Sequence, residues 1–177
     1  MSTSISIASS IREYAVSFVD DFSIPLNNEL SNGSFFITDS NVNRLYLENS
    51  DINLSADRVL VVEASERNKS LDKCKEIVEI LVEKQIRRNQ RLVAIGGGVI
   101  QDIVAFTASI YFRGIEWSFF PTTLLAQADS CIGGKTSINL GSIKNIIGNF
   151  YPPADIYLDV GFLNTLSEDD IKSGIGE

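Results

Sequence analysis

The stretch LVAIGGGVIQD, residues 92–102, runs an apolar segment into three consecutive glycines and reaches an aspartate four residues after the last of them. Residues 91–95 form an almost unbroken apolar run, as a strand does when both faces of its sheet are covered. Behind the glycines, Val99 to Tyr111 has the composition of a buried helix. A strand, a glycine turn and a helix together make a phosphate site. Glycine lets the backbone approach phosphate oxygens, and the helix start presents free N–H groups and a partial positive charge. The order G-G-G-V-I-Q-D does not fit the G-x-G-x-x-G fingerprint, and only Glu116 stands near the spacing of a ribose-binding acid. A glycine triplet after a strand also serves a tight turn with close helix–sheet packing, so both uses stay open at this point.

Outward from this stretch, strands and helices alternate. YAVSFVDDF (14–22) alternates well enough for a strand, and SFFITDSNV (34–42) is a short apolar run ending in a polar loop. RVLVVEAS (58–65) is rich in valine and again ends in polar residues. Lys69 to Arg88 reads as one long helix, with Leu71, Cys74, Ile77, Val78, Leu81 and Ile86 near one face and charges on the other. IEWSFF (115–120) is the next strand and DIYLDV (155–160) the last. Ser167, with Asp170 three residues on, opens a short helix in the manner of a capping box. Strands separated by helices imply βαβ units, a parallel sheet and an α/β fold in one domain. Four polar clusters, Asp39/Asn41, Glu66/Lys69, Gly96–Gly98 and Thr122/Thr123, each follow a candidate strand. In an open parallel sheet, ligands bind at the carboxyl ends of the strands.

The composition narrows the function classes. Of 177 residues, 44% are hydrophobic and 21% charged, enough for a sizeable core. The net charge of −8 gives nucleic-acid binding little support. No stretch approaches a membrane span. The N-terminus MSTSISIASSIREY lacks the basic start and apolar middle of a signal peptide, so a cytoplasmic location is expected. Cys74 and Cys131 match no metal or redox spacing and read as free thiols. There is no histidine, so catalysis by these residues draws on carboxylates, lysines or a cofactor.

PTTLLAQADSCIGGKTSINLGSIKNIIGN, residues 121–149, reads as a long loop-rich segment between two strands, too apolar for disorder. Lys135 follows Gly133-Gly134, and Lys144 precedes Asn145, so two ammonium groups sit beside flexible backbone and polar amides. A lone lysine is ordinarily a solvated surface charge. Two of them embedded in Gly/Ser/Thr/Asn stretches point to a site for phosphate or carboxylate. Asp129 is expected in a short helix after Thr122, buried near the lysines and ionised.

IGGGVIQDIVAFTASIYFRG (95–114), PTTLLAQADSCIGGKTSIN (121–139) and KNIIGNFYPP (144–153) together resemble the dehydroquinate synthase family, part of the wider sugar-phosphate cyclases. SERNKSLD (65–72) is similar to that family's G-E-x-x-K-[ST]-L-E segment, and FLNTL (162–166) and SGIGE (173–177) also match. The resemblance implies a Rossmann-like NAD-binding domain, with a divalent metal, zinc or cobalt, at its cleft with a second, helical domain. The chemistry it implies converts a linear phosphorylated keto acid, DAHP, into cyclic 3-dehydroquinate. NAD transiently oxidises a secondary alcohol, phosphate is eliminated, the ketone is reduced back, and an aldol closes the ring.

By position, the resemblance assigns Asp39, Asn41, Glu66 and Lys69 to the adenosine half of NAD, and Gly97, Gly98, Val99 and Asp102 to its pyrophosphate and ribose. Thr122, Thr123 and Leu125 continue the cofactor site, with Phe162, Thr165 and Leu166 on its far side. Asp129, Lys135, Lys144 and Asn145 reach toward substrate and nicotinamide. Arg113 lies at the substrate phosphate across the interface of a homodimer, and Glu177 falls where the family has its first metal ligand.

Some positions depart from the family pattern. Ser65 stands where glycine precedes the glutamate, Gln101 and Ala105 stand where glycine is usual, and NLGSIKN (139–145) lacks the His and Pro of N-H-P-x-G-K-N. These changes leave room for another sugar phosphate as substrate. Family members carry two histidine metal ligands in their second domain. The 177 residues are therefore expected to be the N-terminal part of a longer enzyme, without dehydroquinate synthase turnover alone. Iron-type alcohol or glycerol dehydrogenases share the architecture and the glycine turn followed by Asp, and a non-catalytic NAD-binding module is a third reading. GGKTSIN and KNIIGNFYPP favour the cyclases.

Overall fold

The computed structural model describes residues 3–48, 52 and 54–176. Its centre is β5 (Leu92–Gly96), whose five residues are all buried. The other strands are β1 (Thr3–Ala8), β2 (Glu13–Phe18), β3 (Phe35–Asp39), β4 (Val59–Val62), β6 (Trp117–Pro121), β7 (Lys135–Leu140), β8 (Ile143–Phe150) and β9 (Asp155–Leu158). Seven of them form one sheet in the order β1-β2-β9-β6-β5-β3-β4. All its neighbours are parallel except β1 and β2. The helices are α1 (Ser23–Ser31), α2 (Ser40–Val42), α3 (Leu71–Glu83), α4 (Gly98–Ile110) and α5 (Glu168–Gly176).

Alternate residues of the central strands feed two cores. Phe35, Ile37, Leu92, Ala94, Trp117 and Phe119 pack with α3 and α4 on one face. Phe36, Val93, Ile95 and Phe120 meet Leu26 of α1 and Leu47 on the other. Coverage on both sides is why the strands read as continuous apolar runs rather than alternating ones. α4 is apolar nearly all round because it too is covered twice, by the sheet and by a hairpin of β7 and β8 laid over it.

That hairpin occupies the segment expected to be loop-rich. Leu140-Gly141-Ser142-Ile143 closes it as a tight turn, with Gly141 at φ 60, a conformation glycine adopts without steric cost. Thr136 and Ile138 are buried, while β8 is exposed almost throughout and so carries no alternation. The long helix is also shorter than expected. It ends at Glu83, Gln85 turns the chain at φ 55, and Ile86 folds back into the core. β1 and α1 were not anticipated. β1 is nearly all exposed and α1 has only a weak apolar stripe. Ser70 caps α3 and Ser167 with Asp170 caps α5, the latter as expected. Among the described residues no helix is long and apolar enough to cross a membrane.

Candidate functional site

The sheet order reverses beside β5. From β3 the chain adds β4 on one side, then returns to lay β5 on the other and continues outward to β6 and β9. Connections leaving on opposite faces open a crevice at the carboxyl ends of β3 and β5, the place where open α/β sheets bind ligands. A cleft of about 510 Å³ lies there, lined by Asp39, Asn41, Gly97, Gly98, Val99, Thr122 and Thr123 among others.

The glycines at its floor divide the two uses left open by the sequence. A Cβ on Gly96 would fall 2.8 Å from the Ile100 side chain, and one on Gly97 would fall 2.8 Å from Thr123 Cγ2. These two allow close helix–sheet packing. A Cβ on Gly98 would meet nothing within 4 Å. Gly98 is the first residue of α4, no side chain caps that helix, and its first turn holds no acidic residue. The free N–H groups of a 13-residue helix therefore open onto the cleft, the setting in which a phosphate or pyrophosphate binds.

Asp39 ends β3, is 7% exposed, and among the described residues uses only Oδ1, accepting from the N–H groups of Asn41 (2.8 Å) and Val42 (3.0 Å). The opposite wall comes from the turn Asn43–Leu47 and from residues 165–170. The Tyr46 hydroxyl bonds with Thr165 Oγ1 at 2.5 Å, and its ring packs edge-on against Phe162, itself fully buried beneath the wall. Arg44, Tyr46, Ser167 and Asp170 were not foreseen as lining residues. The first two come from a π-helical turn, which has no sequence signature, and the last two were legible only as a cap.

One turn along α4, a second polar cluster begins. Lys69, 6% exposed, sets Nζ 2.7 Å from Asp102 Oδ2, 2.9 Å from Asn145 Oδ1 and 3.7 Å from Glu66 Oε1. Asp102 Oδ1 accepts the Ser137 N–H at 3.3 Å. Burial pushes the Asp102 carboxyl above its ordinary range, and Lys69 and Ser137 pull it only partly back. Glu66 and Lys69 do not line the cleft. They tie α4 to the hairpin instead.

The remaining candidates are placed as follows. Asp129 lies in the turn Ala126–Ser130 and is exposed, not buried as expected, because Ala126 and Cys131 take the inward positions of that turn. Gln101 anchors the turn, donating to the Ser130 carbonyl (2.5 Å) and accepting from Ser130 Oγ (2.7 Å). Lys135 and Lys144 are exposed on the hairpin, and Leu125 is half-buried and does not line the cleft. Arg113 follows the far end of α4 at φ 64, about 20 Å along the helix from Gly98. Glu177 lies outside the described residues, and among the described residues no three His, Cys, Asp or Glu side chains gather as a metal site.

Residues 59–173 match the family described as 3-dehydroquinate synthase N-terminal. The chain belongs to that family. The 3-dehydroquinate synthase of Clostridium tetani is 39% identical over 160 residues, which cover 89% of this chain and 42% of the relative. Two solved cyclases share the architecture of this dehydroquinate synthase N-terminal domain. 2-Epi-5-epi-valiolone synthase from Streptomyces hygroscopicus, with NAD+ and Zn2+ bound, superposes with a TM-score of 0.80 at 28% identity, covering 97% of this chain and 49% of that one. 2-Deoxy-scyllo-inosose synthase complexed with carbaglucose-6-phosphate, NAD+ and Co2+ superposes with a TM-score of 0.81 at 25% identity, covering 98% and 50%. The chain thus spans about half the length of the relatives it matches.

Proposed function

We propose that this chain is the NAD-binding half of a metal-dependent cyclase that eliminates phosphate from DAHP to form 3-dehydroquinate. The observation that carries the reading is the uncapped start of α4, with Gly98 open to a polar cleft at the switch point of the sheet. Gly97, Gly98 and Val99 hold the pyrophosphate on backbone N–H groups. Asp39, with Oδ2 left over, takes ribose hydroxyls, and Asn41, Thr122, Thr123, Thr165 and Leu166 complete the pocket. When bound, NAD supplies a hydride acceptor that is regenerated within one turnover. Asp129, Lys135, Lys144 and Asn145 take the substrate side, where lysine ammonium groups balance phosphate and carboxylate charge.

Arg113 sits a full helix length from the cleft, so it reaches a substrate phosphate there only from a second copy, in keeping with a homodimer. The zinc or cobalt of the relatives finds no gathered ligand set among the described residues. Buried free thiols at Cys74 and Cys131 suit the reducing cytoplasm. Burial pushes the Cys131 thiol up to about 11, far from a reactive thiolate. A cyclase acting on a different sugar phosphate is the second reading, favoured by Gln101 in place of glycine beside the substrate turn.

The test is calorimetric titration of the chain with NAD, followed by NMR of its backbone amides. Saturable binding that moves the amides of residues 97–99 and 39–42 is expected. No heat, with those amides unmoved at millimolar NAD, overturns the reading.

A further inference from the structure

Three oxygens meet in the far wall of the cleft. The Tyr46 hydroxyl lies 2.5 Å from Thr165 Oγ1 and 3.2 Å from the Phe162 carbonyl oxygen, and Thr165 Oγ1 lies 3.2 Å from that same carbonyl. Whichever hydroxyl donates to the other, the remaining proton serves the carbonyl, so the triangle is satisfied either way. The Tyr46 ring is held as well. It meets Phe22 edge-on with centroids 5.7 Å apart and Phe162 at 4.8 Å, and those two rings pack on each other at 4.7 Å.

The wall depends on this contact because it has few others. It is anchored at its start, where Asp159, 6% exposed, accepts the N–H groups of Gly161 (2.7 Å) and Phe22 (2.8 Å). It is anchored again near its end, where a Cβ on Gly174 would fall 2.9 Å from Leu124 Cβ. Between these points Phe162 is the one buried residue of the turn Val160–Thr165, and α5 buries none among the described residues. Among the described residues, the Tyr46 hydroxyl supplies the hydrogen bonds that tie 162–165 to another part of the chain. Thr165, Leu166, Ser167 and Asp170, which line the cleft, belong to that span.

The geometry points to Tyr46 as a positioning residue for the dinucleotide, whose hydroxyl holds Thr165 and Leu166 in place and so sets the width of the cleft at its adenosine end. This rests on the reading of the cleft as an NAD site. Tyr46 itself lines the cleft beside them. The end is the adenosine one because Tyr46 stands on the segment that leaves β3 directly from Asp39, the residue read as taking ribose hydroxyls. The Asp39 carboxylate caps α2, and the turn Asn43–Leu47 continues from α2, so Asp39 and Tyr46 are parts of one short, locally braced segment. A wall fixed before the ligand arrives loses little freedom on binding, which is where the affinity comes from. Phenylalanine would fill the space between Phe22 and Phe162, but only the hydroxyl of tyrosine reaches Thr165.

The test compares NAD with ADP-ribose, which keeps the adenosine and pyrophosphate but lacks the nicotinamide, by calorimetric titration of the 177-residue chain. Tyr46→Phe is expected to weaken both ligands alike, about fivefold, the equivalent of one neutral hydrogen bond. In a Thr165→Val background the same change is expected to add little, because its partner is already gone. Hydrogen exchange supplies a readout that needs no ligand. The Leu166 amide, which donates to the Leu163 carbonyl at 3.3 Å, exchanges faster in Tyr46→Phe while the β5 and α4 amides keep their protection. Unchanged NAD affinity, NAD weakened with ADP-ribose spared, full additivity with Thr165→Val, an unchanged Leu166 amide, or protection lost across β5 and α4 as well would each overturn the proposal. A wild-type chain that binds neither ligand would overturn the cleft reading instead, and the Leu166 amide would still judge the hold of Tyr46 on the wall.

Discussion

Gly97 and Gly98 are adjacent, yet alanine at each should have opposite consequences for stability. At Gly98 the added Cβ meets nothing within 4 Å, and the residue begins α4 without a positive φ. Alanine there removes backbone freedom from the unfolded chain and improves helix propensity, worth about 0.5 kcal/mol at a first-turn position. At about 2–4 °C per kcal/mol for a chain of this size, Gly98→Ala should melt roughly 1–2 °C higher. At Gly97 the Cβ would come 2.8 Å from Thr123 Cγ2. Thr123 is β-branched and its Oγ1 accepts the Ala126 N–H at 3.3 Å, so it does not rotate away freely. Overpacking of this kind costs about 1–3 kcal/mol, several degrees of melting temperature.

Binding should separate the two variants further. The space open at Gly98 is the space a pyrophosphate needs. A methyl group there holds a phosphate oxygen off the helix N–H groups and removes about one charge-assisted hydrogen bond, 1.5–3 kcal/mol, or roughly tenfold or more in NAD affinity. Differential scanning fluorimetry and calorimetric titration on wild type and both variants are sufficient. A Gly98→Ala chain that is stabler but binds NAD tenfold worse fits the assignment. Undiminished NAD affinity in that variant would refute the placement of the pyrophosphate on α4, and a lowered melting temperature would refute the reading of Gly98 as unstrained.

Two further outcomes follow from the polar clusters. Lys69→Met leaves the largely buried Asp102 carboxylate without its partner and should cost about 3 kcal/mol at pH 7. Because burial raises the Asp102 pKa in the fold above its ordinary 3.8, the folded form takes up the proton first, and loss of Lys69 strengthens that preference. The variant should therefore regain stability relative to wild type as pH falls from 7 toward 5; urea unfolding that shows the same deficit at both pH values would contradict this. Gln101→Gly removes both bonds to Ser130 and places glycine in a helix interior, for a loss of about 2 kcal/mol in the same assay. A neutral result would mean that Gln101 does not anchor the Asp129 turn.

Much of the fold was readable where burial is extreme. Residues 92–96 are covered on both faces, so their apolar run is continuous and the strand is plain. α4 is readable for the same reason, being covered by the sheet and by the hairpin. The hairpin was not. Its outer strand is almost wholly exposed, and Gly141-Ser142 is one glycine-containing pair among several in that stretch. The cleft floor could be read from the glycines, because a missing side chain is visible in sequence. Its wall could not, because Arg44 and Tyr46 face the cleft through a π-helical turn that shifts which residues share a face. Lys69, Asp102 and Asn145 could each be named from the sequence, but their contact with one another could not. Asp102 lies 33 residues further on and Asn145 76 residues further on, and only the closure of hairpin on helix brings them together.

The sheet order also sets a timetable for synthesis. β2 has only two neighbours, β1 and β9, so beyond its own hairpin it has no partner until residues 155–158 have been made. At cellular elongation rates of about 5–20 residues per second, the hairpin of residues 3–18 waits roughly 7–30 seconds for its docking edge. β3, β4, β5 and β6, by contrast, find partners among themselves within residues 35–121. β1 covers one edge of β2, and the other edge, which will meet β9, stays unpaired through that interval and open to pairing with other strands.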